Sequence, residues 1–157
     1  MYTDGAAKGN PGPGGYGVVL ISGPHRKELS GGFKRTTNNR MELLAVIEGI
    51  KQIKKNNSHI TIYSDSKYVV DAIEKKWIFG WQKINFKGKK NSDLWKQFLQ
   101  LYPLHTIKVI WVPGHANITE NERCDRLAVA ASELPQLPDD VGYMESLKAE
   151  NNLADLL

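Results

Sequence analysis

The stretch YTDGAAKGNPGPGGYGVVLI, residues 2–21, decides the fold because it combines an acid, a cluster of glycines and prolines, and an apolar run. Residues 12–17 match G-x-G-x-x-G, the pattern of a dinucleotide-binding loop, which requires a helix directly after its last glycine. Residues 18–21 are instead typical of a strand, and the prolines remove backbone donors that a phosphate loop needs. This excludes a nucleotide-binding oxidoreductase. The stretch predicts a strand ending at Asp4, a glycine-rich reversal, and a second strand beginning near Tyr16.

The composition is that of one globular domain with a basic region. The chain has 157 residues, a net charge of +4 and a single cysteine, Cys124, which excludes an internal disulfide and a cysteine-built zinc site. No apolar run reaches the roughly 18–20 residues of a membrane helix, and the first residues lack the pattern of a signal peptide. We therefore expect a monomeric, cytoplasmic protein without a membrane segment. Residues 75–90 carry six lysines and no acid, interleaved with aromatic side chains, which favours a polyanionic partner.

Hydrophobic periodicity along the rest of the chain predicts alternating strands and helices. Two strands joined by Gly23 and Pro24 come first, and helices then separate single strands. This order predicts an α/β fold with a five-stranded mixed sheet, three antiparallel strands followed by parallel crossovers, and helices on both faces. Residues 1–134 form the predicted domain, and residues 135–157 form a tail that is either partly helical or disordered. The predicted bounds are strands at 16–22, 28–33, 59–66 and 106–112, and helices at 39–55, 67–76, 77–86, 93–102 and 120–133.

Four acids are candidates for chemistry, although three of them have an ordinary structural interpretation. Asp4 precedes a glycine, as turn residues often do, and Glu42 has the spacing of a capping box. Asp65 lies at a strand-to-helix junction, where aspartate is a favoured N-cap. Asp125 lies in the second turn of a helix predicted to be capped by Thr119, beside apolar positions, and an acid there needs a partner or a metal.

The predicted positions of these acids favour a shared site. Asp4 and Asp65 are each predicted at the carboxyl end of a strand, the edge where open α/β sheets bind ligands, while Glu42 and Asp125 lie near helix starts. Carboxylates brought together repel one another, and hard divalent cations such as Mg²⁺ or Mn²⁺ relieve that repulsion. Two such ions activate water in phosphodiester cleavage. His115 lies in a loop, where a solvated histidine and a functional one are equally expected.

Five blocks of the sequence, in the same order, resemble bacterial type 1 ribonuclease H, the ribonuclease HI family. The resemblance extends from about residue 2 to residue 131, and only the tail after Leu134 matches weakly. The blocks are YTDGAAKGNPGPGGYG at 2–17, TTNNRMELLA at 36–45, IYSDSKYV at 62–69, NSDLW at 91–95 and WVPGHANITENERCDRLA at 111–128.

The resemblance implies a Mg²⁺-dependent endoribonuclease that hydrolyses the RNA strand of RNA–DNA hybrids. Two metal ions would take part, Mn²⁺ would substitute for Mg²⁺, and the products would carry 5′-phosphate and 3′-hydroxyl ends. The residues that match the metal-binding carboxylates of the family are Asp4, Glu42, Asp65 and Asp125. His115 matches a mobile-loop histidine associated with proton transfer or product departure, so these five residues form the expected catalytic set.

The same resemblance implies a set of contacts to the hybrid. The enzyme must require 2′-hydroxyls on one strand and reject them on the other without reading sequence, so small residues would approach the RNA and polar groups would position DNA phosphates. The implied contacts are Gly5 and Ala6 to the RNA sugar edge, Asn10, Arg35 and Thr37 to a DNA phosphate, Asn38 and Asn39 to the minor groove, Lys67 to a base edge or sugar, and Trp77 and Trp81 within a basic protrusion at 75–90.

Two alternatives to hybrid cleavage stay open at this point. A hybrid-binding module with weak or lost cleavage is the first, because only three residues precede Asp4 and the first strand is short on that side. Another nuclease or transposase of the same fold, acting on DNA, is the second, although the TTNNRMEL block favours a hybrid. No small-molecule cofactor is expected in any of these cases.

Overall fold

The three N-terminal strands pair consecutively in antiparallel order, as the sequence predicts. The structure is a computed structural model that describes residues 1–156. Its strands are β1 (Tyr2–Ala7), β2 (Gly12–Ser22), β3 (His25–Thr36), β4 (His59–Ser64) and β5 (Thr106–Trp111). The strand order is β3-β2-β1-β4-β5, and β4 is parallel to both of its neighbours. The predicted five-stranded mixed sheet is therefore confirmed, with the first strand at its centre.

Helices cover both faces of this sheet. They are α1 (Asn38–Lys51), α2 (Lys67–Glu74), α3 (Trp77–Lys83), α4 (Ser92–Leu101), α5 (Thr119–Ser132) and α6 (Val141–Leu156). The first helix ends four residues earlier than predicted because a polar turn occupies residues 52–58, with Asn57 at a φ of 59°. Within residues 1–156, no helix combines the length and the apolar character required to cross a bilayer.

Two glycines of the opening stretch lie in a strand that packs against a helix, and do not form the predicted reversal. The first strand continues to Ala7 and the second begins at Gly12, so the reversal consists of residues 8–11, and the predicted bounds at Asp4 and Tyr16 were wrong. Gly15 and Gly17 lie inside β2, facing α5. A Cβ atom at either position would overlap the backbone of that helix, so these glycines set the close approach of helix and sheet.

The helix caps differ from those that the sequence predicts. Helix α1 is capped by Thr37, whose side chain accepts a hydrogen bond from the Arg40 backbone, and α2 is capped by Ser66. Helix α5 begins after Ile118 and has no side-chain cap, so the predicted capping role of Thr119 was wrong. Because other residues cap α1 and α2, the carboxylates of Glu42 and Asp65 are not used as caps.

The tail after residue 134 is anchored to the start of the first helix. Asp140 is buried and accepts hydrogen bonds from the Thr36 hydroxyl at 2.7 Å and from Nε of Arg40 at 2.8 Å. The guanidinium of Arg40 also contacts Asp93 of α4 at 2.7 Å. Of the two alternatives for the tail, the structure has the helical one, since α6 extends from residue 141 to residue 156.

Candidate active site

Asp4 and Glu42 are neighbours because Gly5, the residue after Asp4 in β1, lets helix α1 lie close to the strand. Asp4 lies within β1 rather than at its end, and is 5% exposed. The next residue, Gly5, faces α1, and a Cβ atom there would overlap the backbone of Met41 and Glu42. The missing side chain lets the helix lie directly on the strand. Gly5 and Ala6 therefore belong to a strand, and the expectation that they form a turn was wrong.

Asp65 joins this pair from the neighbouring strand. It follows β4 directly, and one carboxylate oxygen from each of Asp4, Glu42 and Asp65 lies within 4.8 Å of the others. Asp125 of α5 lines the same open cleft, which has a volume of about 450 Å³, but does not belong to this tight group. The structure thus brings the four predicted acids to one cleft, with three of them in close contact.

The electrostatics of the group favour proton or metal binding. The pKa of Asp4 is raised to about 7, mainly by burial and also by the charges of Asp65 and Asp125, while hydrogen bonds with Glu42 and the Gly5 backbone oppose the shift. Burial also raises the pKa of Glu42, as does the charge of Asp4. The pKa of Asp65 is raised by burial too. Each shift has the sign expected when carboxylates are crowded in a partly desolvated site.

The donor set fits a hard divalent cation. Oε2 of Glu42 is buried and has no hydrogen-bond partner within the described residues. A buried carboxylate oxygen without a partner is unfavourable, and a cation at that point would satisfy it. All the candidate ligands are carboxylate oxygens, which suit Mg²⁺ or Mn²⁺ better than zinc.

His115 lies at the rim of the cleft on an exposed loop. Its backbone has a φ of 56°, and its side chain lines the cleft beside the acids. The preceding residue, Gly114, is close to Asp65, since a Cβ atom there would lie 2.9 Å from Oδ2 of that carboxylate. The backbone of the loop therefore passes close to the acids, while His115 is exposed to solvent.

Three asparagines, Asn10, Asn38 and Asn39, lie along the acidic cleft and a second cleft next to it. The amide oxygen of Asn38 accepts a hydrogen bond from the Ala7 backbone, and that of Asn10 accepts one from the Asn38 backbone at 3.0 Å. Asn38 and Asn39 both line the acidic cleft. Asn10, Thr37 and Asn39 line an adjacent cleft of about 670 Å³ that also contains Lys89 and Lys90.

The remaining predicted contacts are more dispersed. Lys67 lines the acidic cleft, whereas Arg35 is exposed near the end of β3 and lines neither cleft. Trp77 is 46% exposed, with Nζ of Lys75 lying 5.3 Å from the ring centroid. Trp81 is half-buried and packs edge-to-face on Trp95, at 6.0 Å between centroids. Of these two tryptophans, Trp77 is the more available to a partner, with nearly half of its surface exposed.

Sequence reasoning gave no role to two residues that the structure places beside the site. Arg40 fixes the start of α1, as described above, but the residues it contacts lie far away in sequence, so no local pattern indicates its burial. Trp111, the last residue of β5, donates its indole N–H to the backbone oxygen of Asp65 at 3.2 Å. In the sequence, only the position of Trp111 next to the loop of His115 indicated that it lies beside the site.

The sheet order and the acidic cleft over its central strands define a ribonuclease H-like fold. Residues 1–133 match the family model of RNase H, and the chain belongs to the ribonuclease H family. A similar relative is the Ribonuclease H of Desulforamulus reducens, 55% identical over 146 residues that cover 90% of this chain and 91% of that protein. The resemblance recognised in the sequence is thereby confirmed.

Solved structures lead to the same family. LC9-RNase H1, described as a type 1 RNase H with the type 2 active-site motif, superposes with a TM-score of 0.72 at 31% identity, over 83% of this chain and 70% of that chain. LC11-RNase H1, solved in complex with an RNA/DNA hybrid, has a TM-score of 0.63 at 23% identity, over 83% of this chain and 93% of that chain. The second likeness concerns the fold alone.

Proposed function

We propose that the protein hydrolyses the RNA strand of RNA–DNA hybrids, with Mg²⁺ held by Asp4, Glu42, Asp65 and Asp125. The observation that carries the proposal is the unpartnered, buried Oε2 of Glu42 inside a group of carboxylates in an open cleft. Family membership supports the reaction, and LC11-RNase H1, which shares the fold, was solved in complex with an RNA/DNA hybrid.

The bound cations would supply charge neutralisation and an activated water, with two ions cooperating in phosphodiester cleavage. The carboxylates would hold those ions, and the burial of Asp4 and Glu42 limits the access of competing water to their carboxylate oxygens. His115, exposed at the rim, accepts or donates a proton on the product side. The products then carry 5′-phosphate and 3′-hydroxyl ends. Because Mn²⁺ prefers the same oxygen ligands, it substitutes for Mg²⁺.

Substrate binding divides between the two strands of the hybrid. Gly5 and Ala6 line the cleft without bulky side chains, which gives the RNA sugars close access to the backbone. The second cleft, containing Asn10 and Thr37, receives a phosphate of the DNA strand, with Arg35 nearby in sequence. Asn38 and Asn39, between the two clefts, reach the minor groove.

The protrusion at residues 75–90 extends this grip. Its lysines neutralise phosphates, and the exposed face of Trp77 packs against the hybrid backbone, whereas Trp81 mainly supports the protrusion through its contact with Trp95. Action as a monomer in the cytoplasm completes the proposal. The clefts form within one chain, and Cys124 is a buried free thiol, as suits a reducing compartment.

A substrate panel tests the proposal. Labelled RNA–DNA hybrid, duplex DNA and duplex RNA are incubated with the protein in Mg²⁺ or in EDTA, and we expect cleavage only of the RNA in the hybrid and only with the metal. Asp71→Asn on α2, outside the cleft, serves as the carboxylate control for Asp4→Asn. Cleavage of duplex DNA would indicate the alternative nuclease, and binding of the hybrid without cleavage would indicate a binding module.

A further inference from the structure

Trp111 presents an aromatic face to solvent at the edge of the acidic cleft. It is 41% exposed, although its indole N–H is already used by the backbone oxygen of Asp65. The hydrogen bond fixes the plane of the ring, so the exposed face is held in a defined orientation. A tryptophan held in this way is suited to bind a cation over its ring.

The cation that occupies this face is Lys67. Its Nζ lies 4.1 Å from the centroid of the Trp111 ring, and the same lysine lines the acidic cleft. Lys67 is also the first residue of α2, where a positive charge is unfavourable because the helix N-terminus is itself positive. The ring contact compensates for this position without neutralising the lysine.

The nature of the contact decides what the ammonium can do. Lys67 is two residues from Asp65, and as a counter-ion of that carboxylate it would compete with a metal. Over the ring, the ammonium keeps its full charge and its N–H donors, and it lies at the rim rather than among the acids. An ammonium is a compact point charge with three N–H donors and no acceptor, which suits a phosphate because all of its exposed oxygens are acceptors.

We propose that Trp111 is a positioning residue that holds the Lys67 ammonium at the rim of the cleft, where it binds a phosphate of the nucleic acid. This inference rests on the proposed function, and it replaces the expected contact of Lys67 with a base edge or sugar. Trp111 acts through Lys67 and does not itself touch the substrate.

The salt dependence of hybrid binding tests the inference, because each phosphate neutralised adds a fixed increment to the slope of log K against log salt. Binding is measured by fluorescence anisotropy in an Asp4→Asn background, so that no cleavage is needed. We expect Lys67→Gln to reduce the slope by about 0.7–0.9, and Trp111→Leu to reduce it nearly as much although it leaves the lysine in place. The double variant should lose no more than Lys67→Gln alone.

Two further variants separate positioning from folding. Trp111→Phe keeps an aromatic face but removes the indole N–H that orients it, and we expect a slope between those of the wild type and Trp111→Leu. Lys55→Gln, in the polar turn before β4, removes the same charge away from both clefts and should leave the slope unchanged. Thermal melting checks that each variant is folded.

The outcomes are distinct. Weaker binding by Trp111→Leu with an unchanged salt slope would overturn the inference, since the ring would then be only structural, and so would fully additive losses in the double variant. Failure of the wild-type chain to cleave a hybrid in Mg²⁺ would overturn the proposed function instead. The anisotropy measurement does not depend on that cleavage, so the two failures are separable.

Discussion

Asp4 and Glu42 are unusual as single residues because both are buried carboxyl groups whose pKa is raised by burial and by the charge of Asp65. A folded protein tolerates such groups when a bound ligand offsets the repulsion between them. Carboxyl groups with a shifted pKa are therefore concentrated at functional sites. The same residues therefore destabilise the metal-free fold and prepare it for a cation.

Replacing Asp4 by asparagine separates these two effects. We expect Asp4→Asn to lower the rate of hybrid cleavage about 10³-fold or more, because several kcal/mol of metal-dependent stabilisation of the transition state is lost. The free energy of unfolding of the metal-free protein should rise by about 1–3 kcal/mol, because a repelled carboxylate is removed. Single-turnover cleavage and urea denaturation measure the two quantities, with Asp71→Asn as control. A variant that is less active and also less stable would contradict this prediction.

The stability of the metal-free protein should also depend on pH through Asp4. Its pKa is raised from 3.8 to about 7, so between these values the folded state binds a proton that the unfolded state has released. Stability then decreases as pH rises through this window, with a slope approaching about 1.4 kcal/mol per pH unit. Urea denaturation in EDTA at several pH values, compared with Asp4→Asn, measures the contribution. Parallel curves for the two proteins would show that Asp4 is not responsible.

At the scale of elements, close packing of α5 on β2 brings Asp125 toward the other acids. The contact depends on Gly17, where an added Cβ atom would overlap the Cys124 carbonyl and lie 2.8 Å from Cβ of Leu127. Both partners belong to the helix that carries Asp125. The absence of a side chain at Gly17 therefore sets the distance between helix and strand beside that acid.

Gly17→Ala tests this packing. We expect it to lower the free energy of unfolding by about 1–3 kcal/mol, because the helix must shift to accept a methyl group. Gly80→Ala is the matched control, since nothing lies within 4 Å of a Cβ atom at that position in α3. That change should be stabilising by up to about 1 kcal/mol through helix propensity. Equal effects of the two substitutions in thermal or urea melts would contradict the packing argument.

Most elements were predictable from the sequence because their apolar spacing is regular, as in β4 and α2. The bounds of β1 and β2 were not, because the glycines that admit α5 have the same composition as a turn. The four acids were identified by motif, yet motif alone does not show that Asp4, Glu42 and Asp65 are closer to one another than to Asp125. That difference follows from the three-dimensional packing.

For the whole molecule, the least predictable feature is the contact between the tail and the first helix. Arg40 and Asp140 are 100 positions apart in sequence, and both are buried in the folded chain. Their pairing holds the segment after residue 134 against the element that carries Glu42. We therefore expect the segment after residue 134 to contribute to the stability of the domain that the sequence predicts at residues 1–134.

Removing one partner of this pair should be strongly destabilising. Asp140→Asn leaves Arg40 with less compensation for its buried charge, and we expect a loss of about 3 kcal/mol in the free energy of unfolding. The adjacent Asp139 is 53% exposed and lies 4.0 Å from Lys34, so Asp139→Asn should change stability by less than about 0.5 kcal/mol. Denaturant melts compare the two variants. Similar small effects for both would show that the tail does not support the fold.

Under the proposed function Mg²⁺ would bind the folded carboxylate group and not the unfolded chain, so we expect it to stabilise the whole molecule. At a concentration about 100-fold above its dissociation constant, we expect a gain of about 2.7 kcal/mol, or several degrees in Tm. The gain should be larger at pH 8 than at pH 5, because at the lower pH protons occupy Asp4, whose pKa is about 7. Calorimetry with Mg²⁺, against KCl at equal ionic strength, measures it. A shift that persists unchanged in Asp4→Asn, or that is independent of pH, would place the cation elsewhere.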